Sequence, residues 1–129
     1  MRSQIAISML CLLASACAED RLIYAGSDFE LQSAPPSTAS FESDRIQIVA
    51  GEAVKVRVLP RSSGELDYTA NDLLSVRPQD ANILEVYGTE REREFVFVAN
   101  EPGQTCVEVT INRHREECID VRVMPPVVE

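Results

Sequence analysis

Two cysteines and one histidine near the end of the chain are the side chains best placed to do covalent or acid–base chemistry. Cys106 and Cys118 flank a charged stretch, Asn112-Arg113-His114-Arg115. Period-two alternation puts Val107, Val109 and Ile111 on one face of a strand, so Cys106 falls on the other with Glu108 and Thr110. By the same rule Ile119, Val121 and Val123 face inward, and Cys118 points outward with Asp120 and Arg122. Both thiols therefore share the outer face of neighbouring strands, as a disulfide requires. Register pulls the other way. Pairing Cys106 directly with Cys118 sets Val107 against Glu117 and Val109 against Arg115. Matching Val107 with Val121 moves the cysteines four residues out of step, about 13 Å at ~3.3 Å per residue, beyond the ~7 Å between Cα atoms that a bridge tolerates. A bulge near the hairpin tip, or a core packed across sheets, would reconcile the two. A disulfide closing so short a loop is worth about 3 kcal/mol.

The remaining chemistry is sparse. His114 is the only histidine, and triads and zinc sites need partners it does not have. No Cys-x-x-Cys pair marks a redox site. The acidic loops Asp67 to Asp72 and Asp80 to Glu85 lack the Asp-x-Asp-x-Asp-Gly spacing of a calcium loop. Neither a metal nor any other cofactor is expected, and no enzymatic activity. The net charge of −9, with positive residues interspersed among negative ones, argues against nucleic acid and against electrostatic docking on anionic lipid. The side chains best placed to touch a partner are Asn112, Arg113, His114 and Arg115, presented as a loop on a rigid hairpin.

These residues must be positioned by strands. Glu94 to Ala99, Thr105 to Ile111 and Cys118 to Val123 form a meander, its first turn being Asn100-Glu101-Pro102-Gly103. Upstream, Ile46-Gln47-Ile48-Val49 opens the ordered part, and Val54, Val56 and Val58 alternate with Lys55 and Arg57 until Pro60 to Gly64 breaks the strand. Leu73 to Val76, stopped by Pro78, and Ile83 to Tyr87, closed by Gly88, read as two further strands. About seven short strands with no helix predict an all-β, antiparallel sandwich over residues 45–124, followed by a tail, 125–129.

Residues 1–16 read as a signal peptide: a weakly positive start, then an apolar run from Ile5 to Ala14, too short to span a bilayer. Two processing readings stand. An ordinary signal peptidase would cut after an Ala-x-Ala site, Ala14-Ser15-Ala16 or Ala16-Cys17-Ala18, leaving a soluble periplasmic or secreted protein. Alternatively, Leu13-Ala14-Ser15-Ala16-Cys17 resembles the lipobox of bacterial lipoproteins, although leucine stands one place earlier than usual. That resemblance implies diacylation of Cys17, which is enough for stable anchoring. In a Gram-negative cell it also implies an outer-membrane location, because Ala18 is not aspartate. Contact with a membrane would then be through the lipid alone. Residues 17–44, acidic and rich in Ser and Pro, are expected to be a tether, with Leu22-Ile23-Tyr24 and Phe29 to Leu31 as small apolar clusters that could add an edge strand. With Cys11 removed and Cys17 acylated, Cys106 and Cys118 remain as an even pair in an exported chain.

Three patterns resemble bacterial immunoglobulin-like domains of the intimin/invasin type (group 2). They are Gly51-Glu52-Ala53-Val54-x-Val56-x-Val58, the run from Ser75-Val76 through Asp80 and Ile83 to Val86, and Phe97-x-Ala99-x-x-Pro102-Gly103-x-Thr105-x-Val107-x-Val109. Val121-x-Val123 closes the domain in the same manner. A shorter, related pattern occurs in N-terminal domains of pilus and secretin subunits. The resemblance implies an immunoglobulin-like sandwich with a structural or adhesive role, a protein or envelope partner, and no catalytic site. An accessory subunit of a pilus or secretion assembly is the alternative, and a small hydrolase or inhibitor the third.

Overall fold

Val54, Val56 and Val58 are fully buried while Ala53 and Lys55 are exposed, so alternation in the sequence becomes a buried and a solvated sheet face. The same holds for Val107, Val109 and Ile111, and for Ile119, Val121 and Val123. The computed structural model describes residues 21–32 and 39–127. Their strands are β1 (Tyr24–Leu31), β2 (Ser40–Phe41), β3 (Arg45–Val49), β4 (Ala53–Ser62), β5 (Leu74–Pro78), β6 (Leu84–Gly88), β7 (Glu94–Ala99), β8 (Gly103–Ile111) and β9 (His114–Met124), with no helix among the described residues.

Two sheets enclose one core. The first has the order β1-β4-β7-β6 and the second β2-β3-β9-β8-β5. Lettering β1, β4, β5, β6, β7, β8 and β9 as A to G reproduces the A-B-E-D and C-F-G sheets of immunoglobulin sandwiches, with β3 and β2 added beyond strand G. Phe97, Ile46, Ile48, Leu84 and Ile119 are the largest wholly buried side chains. Phe41 packs edge-on against Phe97, with ring centroids 5.4 Å apart, and tilts against Phe29 at 5.7 Å.

Several expectations are corrected. The sheets are not purely antiparallel, because β3 runs parallel to β9 from Arg45↔Asp120 to Val49↔Met124. There are nine described strands rather than seven. The tether expected to reach residue 44 instead contributes β1, which pairs with β4 from Tyr24↔Ser62 to Leu31↔Val56, and β2, which pairs with β3. A bulge between Tyr24 and Ser27, with Gly26 at φ 104°, masks β1 in the sequence by breaking its alternation. Of the two prolines expected to end strands, Pro78 does close β5, whereas β4 runs through Pro60 to Ser62. At Pro60 the neighbouring β7 has already ended, with Glu94 opposite Arg57, and Pro78 lies on an edge strand, so neither missing N–H leaves a gap between strands.

Candidate functional site

The hairpin β8–β9 resolves the register conflict at an intermediate offset. Val107 faces Ile119 and Thr105 faces Val121, which puts Cys106 opposite Asp120 and Cys118 opposite Glu108. The cysteines are thus diagonal neighbours two positions apart, rather than level or four apart. They form the disulfide, with Cα atoms 5.3 Å from one another, closer than the ~7–8 Å of an ordinary diagonal pair. A bulge between Val109 and Thr110, where Glu116 is left out of the ladder, realigns the tip and increases the local twist. The staple is on the outer face of the sheet, as the parity of the valines implied.

The expected contact loop is smaller than its sequence suggests. Ile111 pairs with His114, so His114 and Arg115 already belong to β9 and only Asn112 and Arg113 turn. Their φ values are 51° and 69°, the left-handed pair that a two-residue type I′ hairpin demands. Asn112 suits this position and is also tied inward. Its N–H donates to Leu73 O at 2.8 Å, its Oδ1 accepts from Leu73 N at 2.9 Å, and its Nδ2 donates to Asp72 Oδ1 at 2.9 Å. Arg115 pairs with Glu108 at 3.3 Å. Arg113 and His114 project into solvent. Asp72 in turn accepts from Thr69 N–H at 2.7 Å. That backbone donor, with the Asn112 amide second, holds its carboxyl below the usual carboxylate range.

A second polar constellation joins the two sheets. The Tyr24 hydroxyl on β1 donates to Glu117 Oε1 on β9 and lies 2.7 Å from Ser27 Oγ, which is wholly buried. Burial first, then the hydrogen bond to Glu117, raise the Tyr24 phenol well above its ordinary value. Burial also raises that of Tyr68, with Glu116 and Asp72 adding to it. Nearby, Arg93 turns at φ 59° and donates to Thr69 O. Its Nε is buried with no hydrogen-bond acceptor, the Glu92 carboxylate standing 3.6 Å away. Glu94, also buried, accepts from the Thr89 hydroxyl at 2.8 Å. The sequence reading missed Tyr24 and Ser27. The alternation of Phe29 and Leu31 with Asp28 and Glu30 was the available signal.

Concave surface is shallow. One cavity of about 300 Å³ is lined by Arg45, Gln47, Gln104, Asp120 and Arg122 on the outer face of the five-stranded sheet. Another of about 380 Å³ lies beside Leu73, Arg77 and Arg113. Among the described residues no group of three or more His, Cys, Asp or Glu side chains is gathered as for a metal ion, and no helix is long and apolar enough to cross a membrane. Cys17 lies outside the described residues.

No family model and no curated protein matches the chain. Solved structures do. The chain is similar to domains 1–6 of the surface layer protein SbsC, at 11% identity and a TM-score of 0.54 over 84% of this chain and 14% of that one. It is also similar to SbsC domains 4 and 5, at 13% identity and a TM-score of 0.50 over 75% of this chain and 54% of that one. The chain thus spans little more than half, or far less, of the structures it matches. At such identities the likeness shows a shared β-sandwich fold.

Proposed function

We propose that this chain is a non-enzymatic, exported, immunoglobulin-like module, held to the cell envelope through diacylated Cys17, with a structural or protein-binding role. One observation carries most of this reading: the polar groups that the fold brings together hold strands and loops. Cys106 and Cys118 staple a hairpin, Asn112 fastens its turn to the preceding loop, and Tyr24 with Glu117 links the sheets. A rigid scaffold with shallow surfaces suits contact with a macromolecule better than conversion of a small one. Similarity to domains of a surface layer protein accords with a module of this kind at a cell surface. The lipobox-like residues favour membrane attachment, and Ala18 after the cysteine favours the outer membrane.

The test is intact-mass spectrometry of the protein purified in mild detergent from its own membranes. A diacyl adduct on Cys17 is the expected result. An unmodified Cys17 would exclude the anchor, and a co-purifying partner in fixed ratio would instead mark an assembly subunit.

A further inference from the structure

The strand registers sort the loops into two groups. Tyr24, at the start of β1, lies opposite Ser62 at the end of β4 and reaches Glu117 near the start of β9. Asn112 is bonded to Asp72 and Leu73, and Arg93 to Thr69. The segments 62–73, 91–93 and 112–117 therefore share one end of the sandwich, and the chain enters the fold at that end. The opposite end gathers Ala50 beside Met124, Gly51 beside Ala99 and Asn100 beside Ile83.

We propose that membrane contact goes beyond the lipid expected from the sequence: the end carrying Ile23, Leu66 and Leu73 rests on the surface of the membrane to which Cys17 is attached, with the end carrying Glu101 and Met124 directed away. This rests on the anchoring reading above. Two independent observations argue for it. The first is reach. With β1 beginning at Tyr24, the connection from Cys17 spans at most about 25 Å when fully extended. The far end lies about 30 Å from Tyr24, measured along β4 from Ser62 to Ala53 at ~3.3 Å per residue. The connection is too short for the far end to face the membrane. The second is the surface itself. Ile23, Leu66 and Leu73 are 46%, 45% and 65% exposed, and all three sit at the end where the chain enters, whereas among the described residues beyond Met124 at the far end a single large apolar side chain, Val127 in the C-terminal tail, is exposed. Large apolar side chains projecting from loops suit the boundary between headgroups and acyl chains. Charge attraction plays no part, since acidic and basic residues are mixed there, as in the chain at large. The turn Asn112-Arg113 then faces the lipid, and the outer sheet faces and the far end are left for protein partners.

The test uses the full mature protein, acylated as purified and reconstituted into phosphatidylcholine vesicles, with its native disulfide intact. An environment-sensitive fluorophore is placed in turn on Leu66→Cys, Leu73→Cys and Glu101→Cys, all three exposed positions. Fluorescence at 66 and 73 should be quenched by headgroup spin-labelled lipid at least threefold more strongly than at 101. Equal quenching at all three positions, or stronger quenching at 101, on a sample whose mass shows acylated Cys17 overturns the orientation and leaves the anchor standing. A sample without the acyl mass overturns both.

Discussion

Tyr24 is a residue on which two sheets depend, and its removal has a specific cost. Tyr24→Phe keeps the ring and leaves the buried Ser27 hydroxyl without its partner, which should destabilise the protein by about 1–3 kcal/mol, read from urea unfolding. The phenol also sets a pH dependence. Its folded-state pKa is raised, chiefly by burial and then by Glu117, above the ~10 of an unfolded tyrosine. The folded chain keeps a proton that the unfolded chain releases, so this contribution is complete below about pH 10 and declines as the pH rises further. Tyr68 acts in the same direction. Urea midpoints followed from pH 9 to 11.5 should fall in the parent and fall less steeply in Tyr24→Phe, and parallel slopes would sink the assignment. At the hairpin tip, Arg113 holds a left-handed conformation that L side chains adopt at a cost of ~1–2 kcal/mol. Arg113→Gly should therefore raise the unfolding free energy by about 0.5–1 kcal/mol. The outward parity of Cys106 and Cys118 was legible in the sequence, because valines alternate without interruption around both. The part played by Tyr24 was not. The Gly26 bulge shifts its parity relative to Phe29, and Ser27, which faces the core, looks like a solvated residue.

At the scale of elements, the hairpin β8–β9 is the unit that the disulfide defends. Cys106→Ala with Cys118→Ala should lower stability by about 3 kcal/mol, the value for closing a loop of this length. Reduction of the parent should produce a similar shift in the urea midpoint. Unchanged midpoints in both experiments would mean that the ladder alone fixes the hairpin. The central strands were readable because each buries one face against a single core, which imposes a strict period of two. Strand ends were less so. Pro60 looks like a terminator, yet β4 runs on to Ser62 because it has a free side there, a fact about neighbours that local sequence does not contain. The parallel pairing of β3 with β9 was hidden for the same reason, since the two are separated by most of the domain. The two-residue turn was obscured because Arg occupies a position where glycine is the usual signal.

For the whole molecule, the domain includes β1 from Tyr24 and so reaches well before residue 45, and this is testable by truncation. A chain begun at Arg45 loses Tyr24, Phe29 and Phe41, which pack against the core. At roughly 1.5–3 kcal/mol per large apolar side chain, discounted for their partial exposure, the loss of several kcal/mol is comparable with the stability of a small domain. Circular dichroism melts should show a cooperative transition for a chain begun at Arg21 and a strongly lowered or absent one for a chain begun at Arg45. Transitions within a few degrees of each other would restore the longer tether. The chain enters beside Ser62 and leaves beside Ala50, at opposite ends of the sandwich. If the two ends are pulled apart, β1 is drawn lengthwise along β4, and β9 lengthwise along both β3 and β8. Ladders loaded this way must slip many hydrogen bonds at once instead of unzipping them singly. The domain should therefore act as a link that resists tension. Single-molecule stretching from positions 21 and 127 should need markedly more force than peeling the hairpin open from residues 100 and 127, which lie at the same end.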